Sequence, residues 1–197
     1  MALSKLVIVL IAVALVVLII AGTIIGLYNG FVAMDQSISA KWSEVENQYQ
    51  RQADLIPNLV STVSSAVTVE TRLINDVTQA RSRWQDSATL FDKDKAGVDM
   101  ANGIANLITA VATSENYPVL QANKQFTTLM DELTGTQNRI SVARGRYIDA
   151  IRAYNVGVKS FPGNLVAGMF GFAEKEYYQA SVSALQTPSL GSGTLPG

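Results

Sequence analysis

Residues 6–27 read LVIVLIAVALVVLIIAGTIIGL, 22 consecutive residues without a charged side chain. At about 1.5 Å of rise per residue, a helix of this length covers roughly 33 Å, enough to cross the ~30 Å hydrocarbon layer of a bilayer. A signal peptide has a shorter apolar core, of about 7–15 residues, followed by a small-residue cleavage site. Here the candidate pair, Ala12 and Ala14, lies inside the apolar run. The sequence therefore predicts an uncleaved transmembrane anchor over residues 1–27, with residues 6–27 in contact with the lipid bilayer.

The anchor carries two glycines, Gly22 and Gly26, at the spacing that places them on one helix face. Such small-xxx-small pairs let two membrane helices approach closely, although glycine is also simply common in membrane helices. Gly22 and Gly26 are therefore candidate residues for helix–helix contact in the membrane. A homo-oligomer is one of the assemblies that this spacing favours.

The 170 residues after the anchor correspond to one domain in length. They contain 14 basic and 16 acidic side chains, a net charge of −2, which argues against nucleic acid as a partner. The chain has no cysteine and no histidine. Thiol nucleophiles, disulfides, zinc sites built on these residues and the usual general base near neutral pH are therefore excluded.

The carboxylates are also badly spaced for a metal site. Glu44 and Glu46 are two residues apart, and Asp131 and Glu132 are adjacent, so on a helix the members of each pair face different directions. There is no GxSxG element and no glycine-rich phosphate loop. We therefore predict no metal, no cofactor and no catalytic residues, and a protein that is not an enzyme.

Apolar residues recur at intervals of three and four along most of the chain, beginning with Phe31, Met34, Ile38, Trp42 and Val45. This spacing predicts helices, and no stretch shows the alternation typical of strands. The predicted fold is all-α: an N-terminal transmembrane helix, an antiparallel bundle of long helices over residues 28–185, and a flexible tail over 186–197.

Breaker residues predict where these helices begin and end. Asp54 and Pro57 predict a new helix or a sharp kink. The polar residues 86–97, with the charged run DKDK at 92–95, predict an exposed connection with Leu90 and Phe91 packing back onto the bundle. The remaining expected features are an interruption at 114–118, a turn or tight crossing at Gly135, a helix end at 161–164, and an amphipathic segment over 165–184 that caps the bundle.

Several motifs, in order along the chain, resemble those of the LemA family. They are Arg51 together with DLIPNLV at residues 54–60, VTQAR at 77–81, YPVLQAN at 117–123, NRI at 138–140 followed by AR at 143–144, YN at 154–155, and FP at 161–162. Gln137 stands where an acid usually precedes NRI, and Ile148 stands where asparagine is common. The resemblance covers nearly the whole chain. It implies a single-pass bacterial membrane protein with a helical-bundle domain, and it brings no defined enzymatic activity with it.

Topology follows from the basic residues on the two sides of the anchor. Lys5 precedes the anchor, and Lys41 is the first basic residue after it. The positive-inside rule then favours a cytoplasmic N-terminus. The expected location is the bacterial inner membrane, with the bulk of the protein external or periplasmic.

Polar motif residues beside the apolar stripes are the candidate site. Two interpretations are open: a buried network that fixes helix register, or a pocket or surface that binds a partner. A simple intrahelical ion pair between Arg51 and Asp54 is a further alternative. The candidate residues are Arg51, Asp54, Asn58, Arg81, Asn123, Arg144 and Asn155.

The functional hypothesis is a membrane-anchored scaffold or adaptor that organises membrane-associated protein partners, whose identity the sequence does not give. The alternative is a binding module that holds a peptide or lipid-like ligand in a groove between helices and signals that state. The aromatic residues of the second half of the chain have the spacing of a helical core, which favours core packing over a ligand groove.

Overall fold

A computed structural model describes residues 2–64, 71–113, 120 and 122–177. These ranges contain five helices and no strand. The helices are α1 (Ala2–Ser64), α2 (Thr71–Asp86), α3 (Leu90–Thr113), α4 (Lys124–Lys159) and α5 (Gly163–Phe170). The predicted all-α fold with a long N-terminal helix is confirmed. The expected interruption at 114–118, the end of the 165–184 segment and the tail at 186–197 lie outside the described residues.

α1 contains the predicted anchor. Among the described residues it is the one helix long and apolar enough to cross a membrane. Its large apolar side chains between Leu6 and Ile20 are all exposed, as expected for a segment whose solvent is lipid. Gly30 does not interrupt the helix, so α1 continues from the anchor without a linker.

Of the two alternatives expected at Asp54–Pro57, a new helix or a sharp kink, the new helix is wrong. α1 continues through Pro57 to Ser64, and Asp54 is not an N-cap. The prediction relied on the local rule that proline starts or breaks a helix. A contact with a residue of α2, described with the candidate site, compensates for the missing proline N–H.

The connection expected over residues 86–97 is also shorter than predicted, since α3 begins at Leu90. Thr89 caps this helix, because its Oγ1 accepts a hydrogen bond from the Asp92 backbone N–H at 3.1 Å. Asp94 is buried within α3 and accepts a hydrogen bond from the Tyr49 hydroxyl at 3.3 Å. Leu90 and Phe91 are exposed rather than packed back. The charge run is therefore helical and partly buried.

The described residues separate into two compact units. The first, here the anchor unit, comprises the described residues up to Glu44 together with Ala143–Tyr177. The second, here the bundle unit, comprises Val45–Val142 among the described residues. α1 and α4 each contribute to both units.

The bundle unit has an apolar core drawn from four helices. α2 and α3 pack against each other, and the short connection between them makes them antiparallel. Gly97 of α3 lies against the Tyr49 ring so closely that an added Cβ would be 2.7 Å from it, and the buried ring would have to shift to admit a larger residue. The largest fully buried apolar side chains of the unit are Tyr49, Ile56, Leu59, Met100, Leu107, Leu133 and Ile140.

The anchor unit is built around Phe31 of α1. Val166 and Ala167 of α5 are buried against this ring. Gly163 opens α5 at a close approach, since an added Cβ would lie 2.3 Å from the Gly157 carbonyl oxygen. The predicted helix end at 161–164 is confirmed for α4, which ends at Lys159, but Gly163 then begins a new helix.

Gly135 is neither a turn nor a tight crossing, because α4 is continuous through it and an added Cβ would meet nothing within 4 Å. Glycine inside a helix costs about 0.5–1 kcal/mol relative to alanine. We expect Gly135→Ala to raise the free energy of unfolding by about that amount. Chemical unfolding of the full-length protein in non-ionic detergent measures the change. A loss of stability would indicate a contact that the structure does not contain.

Candidate functional site

The seven candidate polar residues divide between the two units. Arg51, Asp54 and Asn58 of α1, Arg81 of α2, and Asn123 before α4 belong to the bundle unit. Arg144 and Asn155 of α4 belong to the anchor unit. Five of the seven candidate residues therefore belong to the bundle unit and two to the anchor unit.

Arg81 completes the backbone hydrogen bonding of α1 at Pro57. In a regular α-helix the Ala53 carbonyl would accept a hydrogen bond from the N–H of residue 57, but proline has none. The Arg81 side chain is half-buried, and its Nε donates to the Ala53 carbonyl at 2.9 Å. The arginine of VTQAR thus satisfies the oxygen that the proline of DLIPNLV leaves without a donor.

The other three motif residues on α1 face outward. Arg51, Asp54 and Asn58 are exposed, and the Asp54 carboxylate accepts a hydrogen bond from Gln50 Nε2 at 2.7 Å. The structure thus pairs Asp54 with Gln50 on its own helix. Asn58 borders an open groove of about 590 Å³, whose lining residues are Leu55, Asn58, Lys124, Gln125, Thr128, Leu129 and Glu132.

Asn123 is the N-cap of α4. Its Oδ1 accepts hydrogen bonds from the backbone N–H groups of Gln125 at 2.9 Å and Phe126 at 3.3 Å. These are N–H groups that a helix start would otherwise leave without a partner. The side chain therefore has a structural role that its position in YPVLQAN did not indicate.

We expect Asn123→Ala to lower the free energy of unfolding by about 1 kcal/mol, since alanine cannot cap the helix. Asn123→Asp retains the acceptor oxygen and should leave stability near that of the unmodified protein. Thermal unfolding in detergent, followed by circular dichroism, compares the two variants. Equal losses for alanine and aspartate would contradict the capping role.

Asn155 is the most deeply buried of the seven candidates. Its side chain is 2% exposed and forms two hydrogen bonds with the backbone of Lys175. Nδ2 donates to the Lys175 carbonyl at 2.7 Å, and Oδ1 accepts from the Lys175 N–H at 2.9 Å. Asn155 thus attaches the extended segment after α5 to α4. Arg144, on the same helix, is half-buried.

Sequence reasoning missed a pair of amides in the bundle unit. Gln52 is 1% exposed, and its Nε2 donates to Gln137 Oε1 at 3.2 Å. Gln52 Oε1 is buried with no hydrogen-bond partner in the described part of the chain. Gln52 lies three residues after Tyr49 and four before Ile56, so a glutamine on the apolar stripe was the available signal. Gln137 is the position where the family resemblance expects an acid.

Two groups in the anchor unit have shifted pKa values. A hydrogen bond from Lys41 lowers the pKa of the Glu44 carboxyl, and Arg146, 3.8 Å away, contributes in the same direction. Burial raises the pKa of the Tyr154 phenol; nearby Lys175 opposes this and Asp35 reinforces it. Both shifts move the pKa values further from neutral pH, so neither group is suited to act as a general acid or base at neutral pH.

The two membrane glycines lie on an open surface of α1. Gly22 and Gly26 are exposed, and a Cβ added at either would meet nothing within 4 Å. Helix–helix contact through this face stays a prediction. Within the described ranges, no three acidic side chains converge into a group that could hold a metal ion.

These features define a class: an all-helical protein with a candidate membrane helix, in which several motif side chains fasten helices and segments together. A family model for the LemA family matches residues 41–190, and the chain belongs to that family. The resemblance found in the motifs is therefore confirmed.

The chain is also similar to magnetosome proteins. It is 27% identical over 200 residues to magnetosome proteins MamQ 1 and MamQ 2 of Paramagnetospirillum magneticum (strain ATCC 700264 / AMB-1), covering 88% of this chain and 74% of each relative. It is 24% identical, with the same coverage, to magnetosome protein MamQ of Magnetospirillum gryphiswaldense (strain DSM 6361 / JCM 21280 / NBRC 15271 / MSR-1).

Proposed function

We propose that this protein is a non-catalytic, membrane-anchored scaffold or adaptor that organises protein partners at the bacterial membrane. The observation that carries the proposal is the continuity of α1, which leaves the membrane segment and runs on without a linker. Within the anchor unit, α5 also packs against this helix. Residues carried on α1 are tethered to the membrane segment through this helix, which suits a protein that recruits partners at the bilayer.

The relatives support a role within a larger assembly. The three relatives named above are called magnetosome proteins, a name that specifies no reaction. For this chain we infer the general role alone, a protein component at the cytoplasmic membrane. The external side is the proposed location of the domain, on the basis of Lys5 and the positive-inside rule.

The exposed motif residues are the proposed partner surface. Arg51, Asp54 and Asn58 occur in a signature motif, yet all three face outward on α1. Exposed side chains of this kind contribute little to folding, within about 0.5 kcal/mol. A contact with another molecule would account for side chains whose removal leaves the fold intact.

One observation favours the alternative function, a binding module. The groove beside Asn58 measures about 590 Å³ and combines Leu55 and Leu129 with polar neighbours. Ligand pockets for small molecules commonly occupy about 300–1,000 Å³, so the groove has a suitable size. A peptide or lipid-like ligand in the groove is therefore the second candidate.

Photo-crosslinking in the native membrane tests the proposal. A photoreactive amino acid replaces Arg51 or Asn58, with Ser82 on the exposed face of α2 as the control position. We expect one recurring protein partner at the two α1 positions and not at Ser82, and loss of its capture in a variant with Arg51, Asp54 and Asn58 all changed to alanine. That variant should retain full helix content.

Two results would overturn the adaptor role. Crosslinks only to a second copy would replace the adaptor with a self-assembled scaffold and direct attention to Gly22 and Gly26. Crosslinks to lipid or a small molecule, with no protein product, would favour the binding module.

A further inference from the structure

The open face of α5 is a feature of the anchor unit that the anchor itself does not explain. The chain has no charged side chain from Ser160 to Ala173. α5 buries Val166 and Ala167 against Phe31. The large apolar side chains on its other side, and just before it, are at least half exposed: Phe161 (79%), Leu165 (58%), Met169 (69%) and Phe170 (50%). A contiguous exposed apolar patch marks a surface that another phase or molecule covers.

The position of α5 beside α1 indicates whether its open face contacts water or lipid. The helix packs beside the last part of the membrane anchor, and the two enclose a crevice of about 280 Å³. Its lining residues are Ile19, Ile20, Thr23, Ile24 and Leu27 of α1, with Pro162, Leu165, Val166 and Met169 opposite. Ile19 to Leu27 spans about 12 Å of helix axis. α5 therefore lies at the depth of the membrane-spanning segment rather than beyond its end.

Aromatic and charged side chains mark the boundary with water. Tyr28 lies directly after the anchor. Its ring centroid is 5.0 Å from that of Phe170 and 5.5 Å from that of Phe172. Asp35 is the first charged residue after the anchor, and it pairs with Lys175 at 2.5 Å. Apolar, aromatic and charged side chains thus follow one another along α1 in the order that a membrane interface favours.

The charged side chains at the two ends of the uncharged stretch also form an ion pair. Lys159 precedes it and Glu174 follows it, and their side chains pair at 2.6 Å. The two ends of the α5 segment are thereby held together, while the residues between them extend along the apolar anchor. This is the arrangement of a segment that dips into the bilayer and returns to the same side.

We propose that Phe161 and α5 form a second membrane-inserting element, whose open face lies among the acyl chains of the leaflet from which α1 emerges. Lipid is the occupant that the structure indicates, because Leu165 and Met169 of this face line the same crevice as Ile19–Leu27, the part of α1 that is predicted to lie in the bilayer. The inference does not depend on a protein partner. The element would fix the depth and rotation of α1 in the bilayer, whatever the domain binds.

Depth-dependent fluorescence quenching tests this proposal. Because the natural chain has no cysteine, Met169→Cys provides a single site for an environment-sensitive fluorophore. The full-length protein is placed in lipid nanodiscs, one copy per disc, with a phosphatidylcholine and phosphatidylglycerol mixture. The control is Ser39→Cys, an exposed position on α1 about 18 Å beyond Leu27.

We expect nitroxides on the lipid acyl chains to remove most of the emission at position 169, and aqueous iodide to have little effect there. The control should show the reverse. Phe161→Cys is a second, independent position, so that a local disturbance by one label does not decide the result. Circular dichroism verifies that both variants keep their helix content.

Either of two outcomes at positions 161 and 169 would overturn the proposal. Strong quenching by iodide without quenching by lipid nitroxides would place α5 in water. Shielding from both quenchers would place it against protein, and in single-copy discs that protein is the same chain. Neither outcome would affect the adaptor role, which the crosslinking of Arg51 and Asn58 tests separately.

Discussion

Replacing Arg81 with methionine is expected to lower the free energy of unfolding by about 1–3 kcal/mol, the usual cost of a buried polar group left without a partner. Methionine retains most of the apolar stem but cannot donate a hydrogen bond. The Ala53 carbonyl, 2.9 Å from Arg81 Nε, would then lack both this donor and the backbone N–H that Pro57 does not have. Urea unfolding of the full-length protein in non-ionic detergent measures the loss.

A double-mutant cycle with Pro57→Ala isolates the cause. Alanine at position 57 supplies the N–H that an uninterrupted helix directs at Ala53, so Arg81→Met should cost at least about 1 kcal/mol less in that background. Arg83→Met, an exposed position on the same helix, is the matched control and should change stability by less than about 0.5 kcal/mol. An Arg81→Met loss that is equal in both backgrounds would mean that Arg81 does not act through the carbonyl freed by Pro57.

The same contact explains why the continuation of α1 through Pro57 could not be predicted from the sequence. Rules for proline concern residues within one turn, and they correctly identified the defect. The compensation comes from a residue 28 positions after Ala53, on another helix. The long apolar N-terminal helix, in contrast, was predictable because a run of 22 uncharged residues favours a helix of membrane-spanning length without help from the rest of the chain.

The charge pattern at residues 92–95 led to a wrong prediction of an exposed connection. The run at residues 92–95 has the composition of a solvated loop, yet Asp94 is buried beside the Tyr49 hydroxyl and α3 includes all four residues. Thr89 and Asp92 form a start signal that the sequence did contain, at the spacing of a capping box. Local capping chemistry was therefore the better guide than average polarity.

For the candidate site, sequence identified residues but not their contacts. The motifs named Arg81, Asn123 and Asn155, and the structure gives each a specific backbone partner. Three backbone roles of this kind favour the structural interpretation for these residues. Exposed Arg51, Asp54 and Asn58 remain the part of the set open to a partner. The Gln52–Gln137 pair was missed because Gln52 stands out on its apolar stripe but the sequence does not show which residue of α4 faces it.

Asn155→Leu is expected to lower the free energy of unfolding by about 2–3 kcal/mol, since it removes two hydrogen bonds and leaves both backbone groups of Lys175 without those partners. Leucine keeps the number and branching of the side-chain heavy atoms, so loss of packing contributes little. Asn138→Leu, the same change at an exposed position of α4, is the control and should stay within about 0.5 kcal/mol. Chemical unfolding in detergent gives the two free energies of unfolding. Equal effects at the two positions would contradict a stabilising role for the Asn155 clamp, the pair of hydrogen bonds between the Asn155 side chain and the Lys175 backbone.

Hydrogen exchange on the same variant, in nanodiscs, separates the clamp from the membrane contact. Without Asn155, the extended residues 171–177 lose their attachment to α4, and we expect the Lys175 amide to exchange much faster. α5 should remain protected, because in our proposal lipid and the apolar surface of Phe31 hold it independently of the clamp. Fast exchange throughout residues 163–177 would instead make the Asn155 clamp the main restraint on α5. Unchanged exchange at Lys175 would show that the two hydrogen bonds do not hold this segment.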